Sequence, residues 1–172
     1  MQAVYADVSE TASNRSDNPI PPLVVVTGCD RGVGLWVAVA SLQWGFKVLA
    51  GVLDQTSPGA QQLLARGAQV TQLDVTRSDD VTRLLGDVMA LEDLGDAHLA
   101  CLVNNAGVLA YAPLEWQRAA HVQHQLRVNL EGLVMVTAAL LPLLRRNKGL
   151  QHSQDPSTLR TPALSGPQHS QD

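Results

Sequence analysis

Apolar and polar positions along the chain alternate between short, nearly unbroken hydrophobic runs and longer segments of helical period. The runs are Leu23–Thr27 (LVVVT), Lys47–Leu53 (KVLAGVL), Gln69–Leu73 (QVTQL) and Leu99–Val103 (LACLV). Leu23–Thr27 keeps no polar side, which predicts a strand covered on both faces; Lys47–Leu53 and Leu99–Val103 read as further strands, and Gln69–Leu73 alternates. Between them, Leu35–Trp44 predicts a helix that stops at Gly45. Pro58–Arg66 predicts a second, with proline in its first turn and Gly67 past its end. A third covers roughly Asp79–Leu91, with Ser78 as its cap and Asp79 and Asp80 at the positive end of its dipole. From Leu114 to Arg146 the period is helical and predicts two helices, with Pro142 kinking or shortening the last turn of the second.

Strand and helix in strict alternation predict an α/β fold, a parallel sheet of about four strands joined by right-handed crossovers. The core domain spans 23–149. Residues 1–22 are polar and end in NPIPP, which predicts a flexible leader entering the first strand in an extended conformation. Past Gly149 the chain turns to Gln, Ser, Pro and His without apolar period, so 150–172 reads as a polar disordered tail. The pentapeptide QHSQD occurs there at 151–155 and again at 168–172, too short and too few for a structural repeat.

Composition narrows the function. The 172 residues are 45% hydrophobic, enough for one domain with a real core. The net charge of −4 gives no basic face for nucleic acid. Cys29 and Cys101 lie far apart with no CxxC spacing, which argues against a disulfide or metal site. No unbroken apolar stretch reaches the roughly 18 to 20 residues of a membrane span, and no secretory signal stands at the start. The expectation is a soluble, intracellular chain.

Candidate chemistry gathers where the predicted strands end. Thr27-Gly28-Cys29-Asp30-Arg31-Gly32-Val33-Gly34 (TGCDRGVG) follows one strand and opens a helix. Gly28 allows a sharp turn, Gly32 lets backbone N–H groups approach a pyrophosphate, and Gly34 lets the helix pack closely. Asp54 follows the next strand, 20 residues after Gly34. A carboxylate there accepts hydrogen bonds from the adenosine ribose and repels a 2′-phosphate, whereas Arg31 in the loop would attract one. The balance favours NAD over NADP. Asp74, with Val75 in LDVT, ends the third strand and can meet the adenine amino group or simply cap a turn. Asn104-Asn105-Ala106-Gly107 follows the fourth strand; its amides can tie strand ends together, and Gly107 permits close backbone approach. Each feature alone has a plainer reading as turn or solvated carboxylate. His121 and His124 share a helix face, but no third ligand follows, so no metal is expected. Trp36, Trp44 and Trp116 read as ordinary packing residues.

In order and spacing these motifs resemble the short-chain dehydrogenase/reductase family over about 23–149: TGxxxGxG at Thr27–Gly34, LDVT at 73–76, NNAG at 104–107, and Asn129 in VNLEG. TGCDRGVG, LAGVLDQTSPGA, LVNNAGVL and LLPLLRRNKG look most like the branch of type 2 hydroxysteroid (17β and 11β) and retinol dehydrogenases. The resemblance implies a Rossmann-like fold with strand order 3-2-1-4 and hydride transfer between an alcohol and NAD(P). It also implies a catalytic set of Asn (here Asn129), Ser and Tyr-x-x-x-Lys, and association with the endoplasmic reticulum. The chain departs from the family in that set. Its two tyrosines, Tyr5 and Tyr111, are followed four positions later by Ser9 and Glu115. Where the family runs into a strand bearing the serine, this chain enters the QHSQD segment. The expectation is a truncated isoform that keeps the cofactor half without the reaction. The alternative is a non-enzymatic partner, dominant-negative or cofactor-binding, that pairs with a full-length relative through the long helix. The fourth strand is then expected to lie at an open sheet edge.

Overall fold

The computed structural model describes residues 2–5 and 20–147. Its elements are β1 (Gln2–Tyr5), β2 (Pro22–Thr27), α1 (Gly32–Gln43), β3 (Lys47–Val52), α2 (Pro58–Ala65), β4 (Gln69–Gln72), α3 (Ser78–Asp93) and β5 (His98–Asn104). A short 3-10 turn at Leu114–Trp116 then leads to α4 (Ala119–Leu126), a π-helical turn at Arg127–Gly132 and α5 (Leu133–Arg146). The sheet order is β1-β5-β2-β3-β4. The four predicted strands, β2 to β5, are all parallel and take the order 3-2-1-4 among themselves.

Two apolar layers sandwich the sheet, and the alternation of side chains along each strand feeds both. On one face Leu23, Val25, Leu49 and Leu102 meet Leu84 and Val88 of α3 and Val136, Leu140 and Leu144 of α5. On the other, Val24, Val26, Val48, Ala50 and Val103 meet Ala38 and Val39 of α1 and Ala60 and Leu63 of α2. A strand buried on both faces needs apolar residues at every position, which is why β2, β3 and β5 read as unbroken runs. Edge strand β4 buries Thr71, with Leu73 just past it, and exposes Gln72 between them; Gln69 at its start is exposed as well.

Four features differ from the sequence reading. First, the leader is not wholly outside the sheet: Gln2–Tyr5 pair antiparallel with β5, in the register Gln2↔Asn104 to Tyr5↔Cys101. The edge of β5 that sequence left open is therefore covered over those four pairs. Four residues are too few to carry a period, and the free N–H and C=O groups of β5 supply the ladder. Residues 6–19 of the leader and the predicted tail lie outside the described residues.

Second, α3 begins at Ser78 itself, with Arg77 in the capping position and no side-chain cap. The carboxylate of Asp80 accepts a hydrogen bond from Asp74 N (2.9 Å) just before the helix. At α2 the cap is conventional, Ser57 Oγ accepting from Ala60 N. Third, α1 starts at Gly32, three residues before the apolar period does.

Fourth, α4, the π turn and α5 form one continuous helical run, Ala119–Arg146, where two helices were expected; Pro142 lies inside α5, four residues before its end. This run is long and apolar enough, by length and composition, to cross a membrane. Counting unbroken apolar residues missed it, because Asn129 and Glu131 interrupt a segment whose mean hydropathy stays high. Its α5 half buries Val136, Leu140, Leu143 and Leu144 against the sheet layer, as a core helix does.

Candidate functional site

All the predicted site residues but Asn129 lie at or just past the carboxyl ends of the parallel strands. Strand order reverses at β2, which has β3 on one side and β5 on the other, so a crevice opens there. Thr27 is the last residue of β2 and 1% exposed. Its Oγ1 accepts hydrogen bonds from Asn105 N (3.0 Å) and Ala106 N (2.9 Å). Asn105 returns the tie, its Nδ2 donating to the carbonyls of Thr27 (2.9 Å) and Gly28 (3.0 Å). Four hydrogen bonds thus lock the glycine loop to the NNAG turn.

Within the loop, Gly28 has φ +71°, a left-handed conformation that an L side chain rarely adopts. A Cβ on Gly34 would overlap the Gly28 carbonyl and the Asn105 amide, so only glycine lets α1 begin this close to the strand. The first turn of α1 has no side-chain cap. Its leading N–H groups, together with an exposed Val33 and open space beside Gly32, form an uncapped helix N-terminus facing the crevice mouth.

Asp30 holds the loop to the end of β3. Its two carboxylate oxygens accept from Leu53 N and Asp54 N, each at 3.0 Å. Asp54 is exposed and turns one oxygen back to Thr56, accepting from its amide (2.8 Å) and hydroxyl (2.6 Å). Those bonds, the hydroxyl's first, hold its carboxyl below the usual aspartate range. Arg31, exposed in the capping position of α1, forms no ion pair among the described residues. Two carboxylates and one guanidinium therefore stand at this end of the crevice.

Asp74 lies two residues past β4 and makes the same kind of turn, Oδ1 accepting from Thr76 N (2.9 Å) and Oγ1 (2.7 Å). The capping reading describes that oxygen. Beside Asp74 is a cleft of about 580 Å³ lined by Leu53, Gln55, Arg77, Asp80 and Arg83. Asp80 is buried, and its carboxyl is held low first by the Asp74 amide and then by Arg83 (2.9 Å), against the opposing effect of burial. Val75 is buried under Gly132 in the π turn.

On the far side of the crevice the two asparagines of NNAG part company. Asn104 ends β5 and sends its Nδ2 to Thr137 Oγ1 of α5 (2.9 Å), away from the loop. Asn105 does the joining that the sequence offered to either amide of NNAG. The alternation of a strand was the available signal, since neighbouring residues point to opposite faces. Asn129 sits in the π turn and clamps the main chain of Val108, accepting from its N and donating to its O, both at 2.8 Å. Gln125 Oε1 accepts from Ala110 N (3.1 Å) one helical turn earlier. Gly107 lies between these clamps and the loop.

Cys29, in the loop, is fully buried and donates to the Val26 carbonyl; burial pushes its thiol up to about 12. It behaves as a small apolar residue and not as a nucleophile. Trp36, Trp44 and Trp116 are all on the surface. Among the described residues no three His, Cys, Asp or Glu side chains gather as metal ligands.

A family profile described as short chain dehydrogenase matches residues 22–150. The chain belongs to the short-chain dehydrogenase family. Rat (Rattus norvegicus) estradiol 17-beta-dehydrogenase 2 is 37% identical over 143 residues, covering 78% of this chain and 37% of that protein. Mouse (Mus musculus) retinol dehydrogenase 5 is 39% identical over 130 residues, covering 73% and 40%. A short-chain dehydrogenase from Streptomyces avermitilis superposes with a TM-score of 0.63 at 26% identity, covering 73% of this chain and 45% of its own. This short-chain dehydrogenase thus spans about two fifths of the length of the curated relatives it matches.

Proposed function

We propose that this chain binds the adenosine diphosphate portion of a nicotinamide dinucleotide and prefers NAD to NADP. The observation that carries the reading is the uncapped N-terminus of α1, fixed by four hydrogen bonds to the NNAG turn with Asp30 and Asp54 beside it. Helix amides that lack a capping side chain suit a pyrophosphate. Thr27, Gly28, Gly32, Val33 and Gly34 line that contact, Asp54 serves the ribose, Asp74 and Val75 the adenine, and Asn104, Ala106 and Gly107 the wall toward β5. The two carboxylates oppose the 2′-phosphate of NADP more than Arg31 favours it. When bound, the cofactor supplies a hydride acceptor or donor.

The reaction of the family is oxidation or reduction of an alcohol, and two relatives carry estradiol and retinol in their names. A steroid- or retinoid-like alcohol is the substrate class this similarity supports. The chain keeps Asn129, but its amide is engaged with Val108 and neither tyrosine is followed by Lys at the fourth position. By itself the chain performs no turnover.

Titration calorimetry with NAD and with NADP tests the binding reading. Heat from NAD with at least about tenfold weaker NADP, and a narrower gap for Asp54→Asn, is the expected result, corresponding to about 1.4 kcal/mol. Absence of heat from both cofactors overturns it. Production of NADH from estradiol or retinol above a buffer control refutes the loss of turnover.

A second reading, a non-enzymatic partner of a full-length relative, draws on one surface. Leu126, Leu130 and Val134, each more than half exposed, lie along the long helix on either side of and within the π turn. Copurification with a full-length relative, lost on Leu130→Lys, supports that reading; a chain that captures no relative excludes it.

A further inference from the structure

Two consecutive amides, Leu53 N and Asp54 N, converge on the Asp30 carboxylate, one on each oxygen and both at 3.0 Å. Within a strand, neighbouring N–H groups point to opposite sides. These two lie just past Val52, the last residue of β3, where the chain bends. Successive N–H groups that converge in this way make a concavity suited to an anion. Both belong to exposed residues, so the concavity is open to solvent and to a ligand. The anion seated in it is the protein's own.

The main chain that carries Asp30 is fixed from two sides. Cys29 N donates to the Gly51 carbonyl of β3 (2.9 Å), and a Cβ on Gly59 of α2 would overlap the Asp30 carbonyl, so α2 packs directly against the loop. Asp30 also stands one residue before the capping position of α1, close to where an aspartate bonds the first amides of a helix. No side chain caps α1. The carboxylate is committed to β3 instead, which leaves the helix amides open and the strand-end amides filled. Asp54 is arranged differently. Its Oδ1 takes both bonds from Thr56, and its Oδ2 has no hydrogen bond among the described residues.

We infer that Asp30 sets the choice between NAD and NADP, by seating its own carboxylate on the amide pair that would otherwise receive a phosphate. The inference rests on the cofactor reading above, in which Asp54 serves the ribose; a phosphate esterified to that ribose is brought to the same strand end. There it finds no free amide and meets a fixed negative charge. Hydrogen bonds to an ionised carboxylate are about twice as strong as neutral ones, so the phosphate has a good partner to displace. A ribose hydroxyl needs neither amide, because the Oδ2 of Asp54 can accept from it. Asp54 adds repulsion, but its carboxylate blocks none of the donors that a phosphate needs.

Asp30→Ala frees both amides and removes the charge, while Asp30→Asn keeps the size and one acceptor oxygen. Titration calorimetry of the full chain compares NAD, NADP, 5′-AMP and adenosine 2′,5′-bisphosphate on the unchanged chain, on these two variants and on Asp54→Asn. Asp30→Ala should narrow the preference for NAD at least about tenfold, chiefly through tighter NADP, with Asp30→Asn and Asp54→Asn each narrowing it less. The bisphosphate should gain on 5′-AMP by a similar factor. A residue that merely holds the loop would weaken all four ligands together and leave the ratios unchanged. That outcome, or a larger shift from Asp54→Asn than from Asp30→Ala, overturns the inference and leaves NAD binding by the unchanged chain intact. Should Asp30→Ala fail to fold, Asp30→Asn decides: a ratio narrowed at least about threefold supports the inference and an unchanged ratio overturns it. An unchanged chain that gives no heat with any of the four ligands overturns the cofactor reading, and the inference with it.

Discussion

Thr27 shows how much one hydroxyl can organise. Its Oγ1 accepts two main-chain N–H bonds from across the crevice, in a position with 1% exposure. Thr27→Val keeps the shape and removes the acceptor, leaving Asn105 N and Ala106 N without that partner. The expected cost is about 2–4 kcal/mol in denaturant unfolding at unchanged m, with weaker cofactor binding. A midpoint within about 0.5 kcal/mol of the unchanged chain would show that the Asn105 side chain holds the loop alone. Sequence marked Thr27 as the head of a motif but gave no hint of this double acceptor. A one-dimensional pattern cannot say which residues meet across 78 positions of chain. The same limit explains Asn105 and Asp30, both inside quoted motifs and both joining strand ends that only the folded sheet brings together.

Elements were more legible than residues. The cores of all four parallel strands and of α1 to α3 follow from hydrophobic period, because burial on two faces or on one stripe writes itself into successive positions. Termini were less legible, since caps are set by single side chains. Ser78 looks like a cap and is not one: it is already the first residue of α3, Arg77 holds the capping position, and no side chain caps the helix. At the other end of α3, Glu92 joins three elements. Its carboxylate accepts from Leu99 N (2.9 Å) in β5 and from the Asn147 amide, and it pairs with Arg146 at the end of α5. The Glu92 side chain is only 7% exposed, so Glu92→Ala strands a buried N–H beside the cavity it leaves. A loss of roughly 2–3 kcal/mol is expected in chemical denaturation. An Arg146→Ala variant should lose less, about 1 kcal/mol or below, because that guanidinium is largely in water.

For the molecule as a whole, the sheet order among the parallel strands was readable and its outer edge was not. Strand alternation and right-handed crossovers restrict the first, while the second depends on a four-residue segment with no pattern of its own. If the crevice binds NAD only when folded, ligand must raise the stability of the entire domain. At a hundredfold excess over Kd the gain is about 2.7 kcal/mol, a melting shift of several degrees for a chain of this size. A melt unmoved by millimolar NAD, with calorimetry showing binding, would mean that the crevice does not unfold with the rest.

The π turn at Arg127–Gly132 also acts as a phase shift between two helices that share one axis. Each residue of an α-helix turns about 100°, so a wider turn changes which side of the helix the following residues present. That is consistent with α4 burying none of its residues while α5, on the same run, buries four. Excising one residue from the π turn would restore plain α-helical winding and swing α4 about the axis by roughly 100°. Gln125 would leave Ala110, Asn129 would leave Val108, and the crevice wall from Gly107 onward would lose both of its clamps. The wall of the crevice is thus set by an angular offset in a helix, so its shape would respond to a one-residue deletion more sharply than to most substitutions.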